Sequence, residues 1–194
     1  TGFDELEKYP ALMTQYSGPG SQKVLDRWKV NWEYFLASKG YIIVSVDPRG
    51  TGARGEEFLK STYMQLGRLE SKDLVETAEH LAAHDYIDPK RMGIWGWSYG
   101  GTMTAYSMSR CDLFNLGIAV APVTDWRFYD TIYTERFMRK PQTNPKGYDE
   151  NSLIKMADDL NGRLFLIHGS ADDNVHFQNT MEYVDELVQS GKQF

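Results

Sequence analysis

Cysteine is nearly absent. Cys111 stands alone, so no disulfide can close within the chain, and the redox compartment is left open. No apolar run is long enough to cross a bilayer as a helix. Basic residues are outnumbered, 21 Lys and Arg against 27 Asp and Glu, for a net charge of −6. That balance disfavours nucleic acid and anionic membrane surfaces as partners. Internal repeats, low-complexity tracts and linkers are missing as well. The chain opens on Thr1-Gly2-Phe3-Asp4 with no initiator Met and no visible signal peptide, and both ends are expected to be cut from something longer. What remains is an ordinary globular composition rich in Trp and Tyr, and 194 residues suit one domain or most of one.

Apolar runs and helical periods alternate along that domain. Strands are predicted near 10–15, over Tyr41–Val46, at 92–96, at 117–121 and over Arg163–Ile167. Between them, Trp28, Trp32, Phe35 and Leu36 recur at helical spacing from Asp26 to Ser38, and Gly40 stops that helix. A second helix is predicted from Ser71 to His84, with Leu74, Ala78 and Leu81 on one face. Glu70, Asp73 and Glu76 occupy its first turns, where the helix dipole favours acids. A third helix is predicted from Thr102 to Arg110 and a last one from Gln178 to Gln189; Asp125 to Asn161 is expected to hold short helices. Near-continuously apolar strands suit a parallel sheet covered on both faces, so the fold class is α/β.

The centre of the sequence is Gly96-Trp97-Ser98-Tyr99-Gly100, a G-x-S-x-G pentapeptide between a strand and a helix. In the α/β-hydrolase fold this is the nucleophile elbow. A sharp strand-to-helix turn crowds the backbone, so small residues are needed two positions either side of the Ser. The turn lifts the hydroxyl above the sheet and aims the following N–H groups at the same space. The pattern arises by chance in roughly one such sequence in ten, so the flanking strand and helix decide its reading.

A competing signal is Gly50-Thr51-Gly52-Ala53-Arg54-Gly55, a G-x-G-x-x-G after a good strand. Asp47-Pro48-Arg49 separates it from that strand, and no second strand ending in an acid follows, so it reads as a Gly-rich loop rather than a dinucleotide site. The acid partner for Ser98 is sought in Gly169-Ser170-Ala171-Asp172-Asp173, at the carboxyl end of a predicted strand. Asp172 or Asp173 fits the Ser-then-acid order of these hydrolases. The imidazoles are His80, His84, His168 and His176. The first two precede the Ser on a predicted helix, and His168 reads as a packed residue. His176 would have to fold back from the acid's own loop, so the general base is expected beyond Phe194. No metal or cofactor is expected.

Gly96-Trp97-Ser98-Tyr99-Gly100-Gly101, Tyr129-Asp130-Thr131-Ile132-Tyr133-Thr134-Glu135-Arg136, His168-Gly169-Ser170-Ala171-Asp172-Asp173-Asn174-Val175-His176 and Tyr16-Ser17-Gly18-Pro19 together resemble the prolyl oligopeptidase family, dipeptidyl peptidase IV branch. The resemblance covers nearly the whole chain. It implies an α/β-hydrolase domain with a mostly parallel sheet, truncated at both ends, over residues 1–194. It also implies that the family's N-terminal β-propeller and His-bearing C-terminal segment are absent. The implied activity is that of a serine exopeptidase releasing X-Pro or X-Ala dipeptides through an acyl-enzyme. The parent would be a homodimer, extracytoplasmic, acting on peptides with Pro or Ala at the second position.

Residue by residue, the resemblance implies Ser98 as nucleophile and Asp172 as triad acid. The Tyr16 hydroxyl and the Tyr99 N–H would share the oxyanion hole. Tyr99, Val123, Trp126, Tyr129, Tyr133 and Val175 would wall the proline pocket, and Asn174 would hold a substrate carbonyl. Without a base, the 194 residues alone are expected to be inactive. The rival readings are another α/β-hydrolase, such as an esterase, a lipase or an acylaminoacyl-type peptidase, and a non-catalytic binding homologue. The hydrolase topology further implies that the strand at 10–15 lies between those at 41–46 and 92–96.

Overall fold

The computed structural model describes residues 2–28 and 30–194; Thr1 and Lys29 lie outside them. The chain runs β1 (Tyr9–Gln15), α1 (Trp32–Ser38), β2 (Ile42–Val46), α2 (Glu56–Lys60), α3 (Arg68–Ala82), β3 (Ile87–Trp97), α4 (Tyr99–Arg110), β4 (Leu116–Val120), α5 (Thr131–Met138), α6 (Pro145–Asp149), β5 (Arg163–Ile167) and α7 (Gln178–Gln189). Two single 3₁₀ stretches, Trp126–Phe128 and Ile154–Asp159, fill out the long connection between β4 and β5.

The five strands form one parallel sheet in the order β2-β1-β3-β4-β5. β1 thus lies between β2 and β3, as the hydrolase topology implies. Met13, Ile94, Gly117 and Leu164 stand in one register row. That row faces α4, and the approach is close. A Cβ on Gly117 would run into the Met108 sulfur and come within 3.1 Å of Thr104 Cγ2, so the missing side chain makes room for the packed face of α4. Met13, Ile94, Met103, Ala119, Leu74 and Tyr106 are buried in the core beneath α3 and α4. On the other face Trp32 of α1 packs edge-on against Trp95 at 4.9 Å between ring centroids.

Several boundaries differ from the sequence reading. The helix expected from Asp26 begins only at Trp32, where the Asn31 side chain accepts from the Glu33 N–H as an N-cap. The segment before it is held by the buried Asp47, whose carboxylate accepts from the N–H groups of Lys23 and Val24. Trp28, placed on the helix face by its spacing, is 80% exposed. The helix expected from Ser71 to His84 instead spans Arg68–Ala82. The strand expected at 92–96 begins earlier, and Asp88-Pro89 lies inside β3. There the register to β1 shifts between Tyr9 and Ala11, an irregularity that accommodates a residue with no N–H to donate.

Candidate active site

The strand register aligns the site at one edge. Trp97 is paired with Val120, and Val120 with Ile167. Ser98 and the 168–176 loop therefore leave the sheet at the same carboxyl edge, with Tyr16 following β1 beside them. This is the edge where parallel α/β sheets place their sites.

Ser98 sits between β3 and α4 at φ 57 and ψ −118, a conformation unusual for a residue with a side chain. Such backbone strain costs on the order of 1–3 kcal/mol and persists only where the surroundings impose it. Here they do. The Ser98 N–H donates to Val120 O at 2.8 Å, and the Ser98 carbonyl accepts from Thr102 N–H at 3.0 Å. The flanking glycines are required by space. A Cβ on Gly96 would lie 2.4 Å from Gly100 O, one on Gly100 2.7 Å from Gln15 O, and one on Gly101 2.7 Å from Val120 O. The sequence reading asked for small residues on both sides of the Ser, and these contacts supply the reason.

As the first residue of α4, Tyr99 has an N–H with no acceptor inside the helix, and it starts beside Ser98. Among the described residues the Ser98 and Tyr16 hydroxyls have no hydrogen-bond partner. The Tyr16 ring lies back over Gly18, where a Cβ would fall 2.6 Å from a ring carbon.

The aromatic residues form a chain of ring contacts. Tyr16 and Tyr99 have centroids 6.2 Å apart, Tyr99 and Trp126 5.3 Å, Trp126 and Tyr133 6.5 Å, and Tyr129 and Tyr133 5.4 Å. Tyr99, Val123, Trp126 and Val175 are buried; Tyr129 and Tyr133 are half-buried and Asn174 is exposed. Burial raises the phenols of Tyr99, Tyr129 and Tyr133 above their ordinary range, so these rings stay neutral. The Tyr129 hydroxyl donates to Asn174 Oδ1 at 2.9 Å, which ties the aromatic cluster to the acid loop.

In that loop Asp172 Oδ1 accepts from the N–H groups of Asn174 and Val175, both at 3.0 Å. The imidazole within 4 Å of the carboxylate is His168, whose Nε2 is 3.5 Å from Oδ2. His176 does not come that close. The His168 ring is already engaged. Its Nε2 stands 2.7 Å from Val175 O and its Nδ1 2.6 Å from Thr180 Oγ1. Since a carbonyl only accepts, Nε2 carries the proton. His80 and His84 pack against each other and Tyr86 at the end of α3 that leads into β3, the opposite edge of the sheet from Ser98. Among the described residues no group of three His, Cys, Asp or Glu side chains is placed to hold a metal ion.

Three supporting residues were not visible in the sequence. Gln15 donates from its side chain to Gly100 O at 2.7 Å and accepts from Ser17 Oγ, stitching the end of β1 to α4. Asn179 accepts from the Thr124 N–H at 2.9 Å, and its carbonyl accepts from Thr124 Oγ1 at 2.6 Å. That joins the Val123–Trp126 segment to α7. Glu70, expected in the first turns of the helix where the dipole favours acids, is fully buried. Its Oε1 accepts from the Tyr99 hydroxyl at 2.7 Å and its Oε2 from the Gly67 N–H at 3.0 Å. Burial pushes its carboxyl up to about 7, against the lowering effect of these hydrogen bonds. No local pattern marks Glu70, because its partner lies 29 residues away. Asp73, read with it, instead binds the Arg49 side chain and N–H, which anchors the Gly50–Gly55 loop.

Comparison with known proteins identifies the family and the fold. Residues 28–194 match the family model described as the prolyl oligopeptidase family. The chain belongs to the prolyl oligopeptidase family. It is 48% identical over 193 residues to the probable dipeptidyl-aminopeptidase B of Metarhizium robertsii, covering 97% of this chain and 21% of that protein. The corresponding protein of Arthroderma benhamiae is 50% identical over 190 residues, with 95% and 21% covered. Among solved structures, Porphyromonas gingivalis dipeptidyl peptidase 4 superposes with a TM-score of 0.97 at 56% identity, over 99% of this chain and 28% of that one. The fold is that protein's α/β-hydrolase fold. The chain thus spans about a fifth of the length of the curated relatives it matches.

Proposed function

We propose that this chain carries the nucleophile and pocket of a serine exopeptidase that releases X-Pro or X-Ala dipeptides from peptide N-termini. The observation that carries the reading is Ser98, held strained at the head of α4 and next in sequence to the buried ring of Tyr99, from which the aromatic chain extends. Ser98 Oγ attacks the scissile carbonyl. The tetrahedral oxyanion is held by the Tyr99 N–H and the Tyr16 hydroxyl, and expulsion of the amine leaves an acyl-enzyme that water hydrolyses. Val123, Trp126, Tyr129, Tyr133, Tyr99 and Val175 receive the proline ring. Burying its three methylenes supplies about 2.4 kcal/mol, at roughly 0.8 each. The small apolar slot favours Pro and Ala over long or charged side chains. Asn174 holds a substrate carbonyl.

Asp172 orients the imidazole that takes the Ser98 proton. β3 and β5 are two strand spacings apart, about 10 Å, which leaves room for such a ring between their loops. None of the four imidazoles of these residues serves as the base in this proposal. His168 is committed to Val175 and Thr180, and His80 and His84 lie at the far edge. We assign the base, and a β-propeller that anchors the substrate amine, to other parts of a longer protein that works as a homodimer.

The test uses the full-length protein, a Gly-Pro chromogenic amide and a fluorophosphonate probe. Release of the chromophore, labelling of Ser98 and loss of both in Ser98→Ala are expected. Turnover of acyl esters with none of the Gly-Pro amide would instead favour an esterase.

A further inference from the structure

Glu70 raises a question that the proposed mechanism leaves open. A carboxylate is placed in the core, where burial opposes its charge, and its partners are few. One oxygen closes the start of α3 on the Gly67 N–H. The other takes the Tyr99 phenol at 2.7 Å. The first contact is an ordinary helix-start arrangement, available to a solvated acid or to Gln. The second reaches a different element, at the residue adjoining the nucleophile.

Tyr99 is therefore held at both ends. Its backbone is fixed at the first position of α4, and its phenol is tethered to α3. Between them the ring faces Trp126 at 5.3 Å and Tyr16 at 6.2 Å. A phenol without an acceptor in this enclosed place would leave a buried donor unmade, and the ring would be free to seek another rotamer. An acceptor fixed on α3 completes the bond and selects one ring position.

We propose that Glu70 is a positioning residue for substrate selection: through the Tyr99 hydroxyl it sets the plane of the ring against which a proline side chain packs. Through that contact the protein distinguishes Pro from Ala at the second position of the substrate. The inference rests on the peptidase reading given above and deepens it.

The experiment uses the full-length protein and four forms: wild type, Glu70→Gln, Tyr99→Phe and the double variant. For each, kcat and KM are measured on Gly-Pro and Gly-Ala amides, alongside the thermal midpoint. Each single change should raise KM for the Gly-Pro amide about fivefold with a smaller effect on kcat, the size one hydrogen bond commands. The Gly-Ala amide, with no ring to orient, should be less affected, so the Pro/Ala ratio of kcat/KM falls. The double variant should match the worse single variant, because Tyr99→Phe removes the phenol through which the Glu70→Gln change would act.

A lowered thermal midpoint with an unchanged Pro/Ala ratio would reduce Glu70 to a structural residue and overturn the proposal. Additive losses in the double variant would do the same. If Glu70→Gln does not fold, Tyr99→Phe, which keeps the ring, decides alone. A wild-type protein that fails to cleave the Gly-Pro amide would count against the peptidase reading itself. A wild-type protein that cleaves it, with unchanged ratios in the variants, counts against the role of Glu70 only.

Discussion

Gly100→Ala separates what the elbow needs for folding from what it needs for chemistry. Gly100 is helical and needs no unusual backbone angle, since it is not among the glycines of positive φ. In an open helix the change to Ala would stabilise by about 1 kcal/mol. Space is the obstacle. The new methyl would stand 2.7 Å from the Gln15 carbonyl oxygen and 3.2 Å from Tyr16 Cα. Ordinary contact begins at 3.4 Å, so α4 and the end of β1 must part by about 0.7 Å. Both obstructing atoms are backbone, so no side chain can swing aside. The Gln15 amide, bonded to Gly100 O at 2.7 Å, resists the separation. Overpacking of this kind costs about 1–3 kcal/mol. Set against the helical gain, the net loss of stability is about 0–2 kcal/mol, too little to unfold the domain.

The consequence for turnover is larger. Ser98 and the Tyr99 N–H move with α4, while Tyr16 moves with β1. The two halves of the proposed oxyanion hole are thus driven apart. A misplacement of about 1 Å can cost 10²-fold, so kcat on the Gly-Pro amide should drop by about 10- to 100-fold while the thermal midpoint shifts by only a few degrees. Steady-state kinetics and a thermal melt on the same preparation give both numbers. A Gly100→Ala protein with kcat within about threefold of wild type would show that Tyr16 and α4 do not act as one site, and the reasoning would fail.

Tyr16→Phe should leave folding unchanged and raise the barrier by about 3 kcal/mol, as loss of one oxyanion donor does; unchanged turnover would remove Tyr16 from the mechanism. Glu70 should make the domain less stable as pH rises. The unfolded chain gives up that proton near 4.5 and the folded chain near 7, so folding takes up a proton between those values and stability falls by about 3 kcal/mol across the window. Thermal melts of wild type and Glu70→Gln from pH 4 to 8 check this, and parallel curves would refute it. The 194 residues alone should not turn over a Gly-Pro amide, because an alcohol without a base is a weak nucleophile; turnover that vanishes in Ser98→Ala would place a base within them, with His176 the first to test.

The parts of the site that were legible in the sequence are those whose physical cause is local. The elbow's signature is local, Gly96, Gly100 and Gly101 within three residues of Ser98, although the backbone that a Cβ would meet at Gly100 and Gly101 belongs to β1 and β4. The acid loop follows a strand end, and the strand was plain from its apolar run. The order of the strands was not local. β1 is inserted between β2 and β3, and only the resemblance to a known family supplied it.

Periodicity placed α7 correctly over Gln178–Gln189 but misled at the start of α1. Trp28 fits a helical stripe with Trp32 and Phe35, but Asp47 captures the backbone N–H groups of Lys23 and Val24 and delays the helix to Asn31. Glu70 is the sharper case. Beside Asp73 and Glu76 it reads as one more acid favoured by a helix dipole. What separates it from them is a phenol on another helix and the closing of the core around both groups. A carboxylate buried this way must find a donor to offset the loss of water, and it finds that donor on the residue next to the nucleophile. The burial that hides the acid from a sequence reading is thus what commits it to Tyr99.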